Sequence, residues 1–240
     1  MRRECMRIIE TFKLNLTDYG LPQKDNVFFV RIDPENLAVA LHDILAELAN
    51  FSWLNKFDKE ALRKSMETNA RNTCDILQEK FFDENGDPII EEAGEYLVSV
   101  YSKRGIVEHL GHLDVPLAEL LGRKKTGNPG FDFFTEEEDL QLVTCGEAKY
   151  LHGKNAYTTS LKQINDFIAS NKHISDVVIL NGLVSDKGLD NLVSGHFGVC
   201  SAFSSTGIKT KDLISHICAN SDFKSTLQYD YVILVAVNII

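Results

Sequence analysis

PGFDFF at 129–134, TEEED at 135–139 and LQLVTCGEAKYL at 140–151 form the stretch from which the fold is read. Two short apolar-rich runs flank an acidic turn, the pattern of a β-hairpin. Side chains alternate along a strand, so Glu147 and Lys149 share one face and Ala148 takes the other. Asp132, on the partner strand, can meet them across the hairpin. Two carboxylates and one ammonium then converge near strand ends. Alternating charges often mark only a solvated face. Here the neighbours Leu142, Val143, Cys145, Ala148 and Tyr150 are apolar, and Asp132 stands among three phenylalanines. A carboxylate in so apolar a run is costly unless something binds it.

Such a set meets the needs of metal-assisted phosphodiester hydrolysis. Mg²⁺ is a hard cation that takes one or two carboxylates and keeps waters for phosphate oxygens. Asp132 and Glu147 would supply the carboxylates, and the backbone carbonyl of Ala148 a further oxygen; Mn²⁺ can substitute. The ion would lower the pKa of a bound water and neutralise charge on the phosphate. Lys149 would orient the attacking water or stabilise the oxyanion.

Outward from the hairpin the pattern is α/β. Upstream, residues 1–36 read as an irregular or β-rich arm with VFFVRI (27–32) as a strand. Asp33-Pro34 reads as a helix start. Leu37, Leu41, Ile44, Leu45 and Leu48 give a helical apolar face, and a second helix is expected over about 58–82, closed by DENGDP (83–88). Helices are expected over 89–103 and, briefly, 113–121, with GRKKTGNPG (122–130) as a loop. Downstream come a helix at 155–171, VVILNGLV (177–184) as a buried strand, and a short helix near 189–192. A strand around 197–203, a helix at 211–220 and YVILVAVNII as the last strand complete the chain. Strands alternating with helices imply a sheet covered on both faces. The expected division lies near residue 85: a mostly helical N-terminal extension over 1–85, then a core over 86–240.

The order G-F-D-F, acidic turn, G-E-A-K-Y resembles the PD-(D/E)XK nuclease superfamily. That resemblance implies a restriction-endonuclease-like core, a mixed central sheet flanked by helices in αβββαβ order. It also implies that Glu95, in EEAGEYLVSVY, is the acid on the helix before the first core strand, which completes the site with Asp132, Glu147 and Lys149. Gln163, in SLKQINDF, lies where branches resembling RecB carry a glutamine that contacts DNA or the lysine. The proline stands two residues further from the acid than in the usual motif. Within the superfamily the chain is most similar to the HamA family, nuclease subunits of Hachiman antiphage defence, and the related AbpA family. This implies a DNA substrate and a superfamily 2 helicase subunit as partner.

The charge balance bears on that partner. The formal net charge is −10, whereas a stand-alone nucleic-acid binder needs clustered Lys and Arg. DNA would then be met through a local basic surface or brought by the helicase. Arg123, Lys124 and Lys125 form the densest basic run, just before the hairpin, and suit phosphate gripping as well as a solvated loop. Lys154 and Lys162 would extend that surface. A stand-alone restriction enzyme would need recognition elements and a basic face that the sequence lacks. A non-enzymatic adaptor on the same fold would be expected to have lost one of the acid–acid–lysine set.

Other chemistry finds less support. His109 and His112 are spaced to share a metal but have no third ligand nearby. His152, just past the strand, suits a strand cap better than a phosphate contact. VSGHFG has no nucleophile-elbow serine, and GRKKTGNPG no G-K-[ST]. The five cysteines are scattered without C-x-x-C, which points to a reducing compartment. The N-terminus lacks a signal-peptide apolar region, and no run is long enough for a membrane span. The expected location is the bacterial cytoplasm.

Overall fold

The computed structural model of the chain describes residues 6–34, 37–81, 91–121 and 130–239. Two strands come first, β1 (Met6–Lys13) and β2 (Val27–Pro34), then helices α1 (Leu37–Leu48), α2 (Glu60–Phe81) and α3 (Glu91–Leu110). Strands β3 (Leu113–Asp114), β4 (Phe133–Glu137) and β5 (Leu142–Lys149) follow, then helices α4 (Tyr157–Ala169), α5 (Lys172–Ser175), α6 (Val177–Leu180) and α7 (Asp186–Val193). The chain ends with β6 (Gly198–Ser205), α8 (Thr210–Ala219), α9 (Ser221–Thr226) and β7 (Tyr231–Asn238). The seven strands of the described residues form one mixed sheet in the order β1-β2-β7-β6-β5-β4-β3.

Connection length explains the strand directions. β4 and β5, joined by a tight turn, pair antiparallel, as do β3 and β4. β5, β6 and β7 are separated by helical crossovers and pair parallel. β2 pairs parallel with β7 and β1 antiparallel with β2, so both strands preceding residue 85 belong to the same sheet as β5.

Alternation along the strands fills two apolar layers. On one side Phe134, Cys145, Phe203, Leu234 and Phe29 pack with Leu161 and Ile164 of α4 and Ile217 of α8. On the other, Phe133, Ala148, Ala202, Val235 and Val30 pack with Leu97 and Tyr101 of α3 and Leu48 of α1. Each valine, leucine, isoleucine or phenylalanine among them contributes about 1.5–3 kcal/mol when taken from water. No helix of the described residues is long and apolar enough to cross a membrane.

Several sequence expectations are corrected. β2 runs through Pro34, which pairs with Met6, while Asp33 binds Arg7 at 2.8 Å; neither starts a helix. Proline fits a strand end because its missing N–H leaves no ladder bond unmade there. Helix α3 continues to Leu110 and stops at Gly111, whose φ of +75° suits only glycine well. Residues 113–121 form β3 and a turn rather than a helix, because the Ala118 N–H donates to the Asp132 carbonyl at 3.1 Å. VVILNGLV is not a strand of the sheet: Val177–Leu180 is a helical turn, Gly182 has φ +81°, and only an isolated Asn181–Val184 bridge is strand-like. β6 already pairs with both β5 and β7, which leaves no place for a further strand between them. DENGDP and residues 122–129 of the basic loop lie outside the described residues.

A buried acid fixes the hairpin's outer end. Glu136 on β4 is 1% exposed and accepts from the Ser185 N–H at 2.9 Å and from the Ser185 hydroxyl. Ser185 in turn caps α7 by accepting from the Gly188 N–H at 2.9 Å. Asn191 of α7 adds a bond to the Gln141 carbonyl at 2.9 Å.

Candidate active site

The candidate site lies at the C-terminal end of β5. Gly146 makes the approach of the partner strand possible there: a Cβ at that position would strike the ring of Phe133, the residue opposite. The ladder extends one residue beyond β4, the Asp132 N–H donating to the Gly146 carbonyl at 2.9 Å. Asp132 Oδ2 then accepts from the Ala148 N–H at 2.8 Å, which fixes its carboxylate against the strand that carries Glu147 and Lys149.

Glu147 is 1% exposed and Asp132 3%. Lys149 Nζ stands 2.9 Å from Glu147 Oε1 and donates to Glu95 Oε1 at 3.0 Å. Glu95 comes from the first turns of α3. It is placed by its neighbour Gly94, which lies so close to the ring of Tyr150 that a Cβ would overlap it. The four residues Glu95, Asp132, Glu147 and Lys149 thus form one cluster, three carboxylates about one ammonium. Burial disfavours the charged lysine, but Glu147, Asp132 and Glu95 outweigh it and hold the ammonium protonated well above the ordinary lysine range. Lys149 is therefore a fixed cation and hydrogen-bond donor, and it is not poised to accept a proton near neutrality.

Two hydroxyls behind the acids carry no signal in the sequence. Ser160 of α4 donates to the backbone carbonyl of Glu147 at 2.9 Å, and Ser201 of β6 donates to Ser160 Oγ at 2.9 Å. Both serines are buried. They fix the backbone from which the Glu147 carboxylate projects. Two small polar residues in unrelated stretches give no pattern; only the pairing of Glu147 with Ser201 across β5 and β6 brings them together.

Gln163 lies on α4, one turn beyond Ser160 and half-buried, and no hydrogen bond among the described residues joins it to the cluster. His152 is exposed, its Nδ1 3.3 Å from the Tyr150 hydroxyl. His109 is exposed at the end of α3, while His112 is buried, with Nδ1 3.0 Å from Thr135 Oγ1. Lys124 and Lys125, with Arg123, lie outside the described residues.

No group of three or more His, Cys, Asp or Glu side chains among the described residues is arranged to hold a metal ion. The donor set that the sequence suggests is smaller: the carboxylates of Asp132 and Glu147 and the carbonyl of Ala148. All are hard oxygens, and a Mg²⁺ ion that keeps several waters needs only one or two carboxylates from the protein. In chemistry the set fits Mg²⁺, with Glu95 turned to Lys149 rather than completing a third protein ligand. None of the family models, curated proteins or solved structures compared with this chain matches it.

Proposed function

We propose that the chain hydrolyses phosphodiester bonds of DNA with Mg²⁺, as the nuclease subunit of a bacterial antiphage complex. The observation that carries this reading is the meeting of two carboxylates, each at least nine-tenths buried, with Lys149 at the end of β5. The arrangement of the surrounding elements supports it. In α3, β3, β4, β5, α4 and β6, an antiparallel three-strand meander follows one helix, and a parallel fourth strand follows another. This succession is in keeping with the αβββαβ order expected of a restriction-endonuclease-like core, with α5 to α7 added between α4 and β6.

A Mg²⁺ or Mn²⁺ ion held by Asp132, Glu147 and the Ala148 carbonyl would activate water and neutralise phosphate charge. The chain's own residues do the rest. Lys149, locked as a cation, offers its N–H groups to charge building on a phosphate oxygen. Glu95 holds the Lys149 side chain in place, and Ser160 with Ser201 holds the backbone of Glu147. Gln163, Lys124 and Lys125 are assigned to substrate contact. A superfamily 2 helicase partner would deliver the DNA, in keeping with a net charge of −10 that repels free nucleic acid.

The test is plasmid and linear-DNA cleavage in Mg²⁺ or EDTA, by wild type, Glu147→Gln and Lys149→Ala, with and without the helicase. Metal-dependent cutting that falls at least about a hundredfold in both variants supports the reading. No cutting under any condition, with the variants still supporting phage resistance, would establish an adaptor on this fold instead.

A further inference from the structure

Helices α5 to α7 lie between α4 and β6, beyond the single helix that a parallel crossover needs. Leu180, Leu183 and Leu192 of this segment are buried, yet three aliphatic side chains stand among the polar ones on its outer face. Val178 is 80% exposed, Val193 55% and Ile174 37%. Between α6 and α7 lies an open cleft of about 440 Å³, lined by Val177, Val178, Leu189 and Val193, by Asn181 and by two acids, Asp186 and Asp190. No lysine or arginine among the described residues lines it. The run 177–184 is as apolar as a core segment, but Val178, Asn181 and Gly182 are exposed. Aliphatic side chains exposed together beside acids are a feature of interaction sites.

We propose that this cleft docks an amphipathic helical segment of another protein, with aliphatic anchors at helical spacing and lysine or arginine beside them. The apolar walls take the anchors, and Asp186 and Asp190 pair with the basic residues. The charge pattern selects against a second copy of this chain as occupant. A two-fold contact sets a patch against itself, and here it would bring both pairs of aspartates together. The inference stands whether or not the cluster at β5 cuts DNA.

The test uses the full chain and two synthetic helical peptides of about 18 residues, one of leucine and lysine, the other of leucine and glutamate. Fluorescence anisotropy should show binding of the lysine peptide alone. Val178→Ser/Val193→Ser should weaken it about tenfold, since truncating buried anchors typically costs that much. Asp186→Asn/Asp190→Asn should weaken it and flatten its salt dependence. Amide shifts on binding should cluster within residues 174–193. Both pairs are exposed or line the open cleft, so the fold should survive the changes. Absence of binding, or equal binding by the variants, overturns the proposal. So does self-association of the chain that the valine substitutions abolish, which would make the occupant a second copy.

Discussion

At Lys149 burial and charge act in opposite directions, and charge prevails. Replacing it by methionine leaves the Glu147 carboxylate, 1% exposed, without its ammonium partner. Lys149→Met should therefore lose on the order of 3–5 kcal/mol in urea unfolding at neutral pH. The double variant with Glu147→Gln should recover part of that loss, because the stranded charge goes too. The sign with pH follows from the raised lysine pKa. The stabilisation that depends on the lysine's proton is present below the ordinary lysine value of 10.5 and is lost as pH rises through the higher folded-state value. Ser160→Ala removes the buried donor to the Glu147 carbonyl and the acceptor for Ser201. It should cost about 1–3 kcal/mol in thermal unfolding. If the proposed chemistry holds, it should also slow DNA cleavage in Mg²⁺.

Among elements, α3 and the β4–β5 hairpin matter most to the site. Gly94→Ala puts a methyl where the Tyr150 ring lies, and the first turns of α3 must then move off β5. A loss of about 1–3 kcal/mol in denaturant unfolding is expected, with Glu95 drawn away from Lys149. His112 joins the end of α3 to β4 through Thr135 and packs against Tyr231 with ring centroids 5.2 Å apart. Burial pushes its pKa down to about 4 from the ordinary 6.5. The unfolded chain thus binds the extra proton between these values. His112 should cost the fold on the order of 3 kcal/mol as pH falls from 6.5 to 4, and His112→Leu should flatten that slope in unfolding measured across the range. Legibility in the sequence followed from how local each signal is. The hairpin could be read because alternation and an acidic turn lie within 23 residues, 129–151. β3 could not, since a two-residue strand exists only through its pairing with Thr135 and Glu136. Residues 177–184 misled because a short apolar run suits a strand and a helix turn equally. Glu95 stands out only through the family resemblance; nothing within its own helix distinguishes it from the other glutamates there.

At the scale of the whole molecule, β2 lies beside β7 and shares an apolar layer with β6 and β5 on each face. Removing residues 1–34 would bare the β7 edge and strip Phe29, Val30 and Ile32 from the two layers. The truncated chain should be insoluble or molten, and the full chain should unfold in urea in one transition by fluorescence and circular dichroism alike. A last consequence concerns the short strand β4. One end is clamped to α7 through Glu136 and Ser185, and Asp132 sits just before the other. From Asp132 to Glu136 an extended backbone measures about 14 Å. β4 therefore acts as a strut of set length, so whatever rests on α7 is kept at one spacing from the acids at the far end, with no hinge between them.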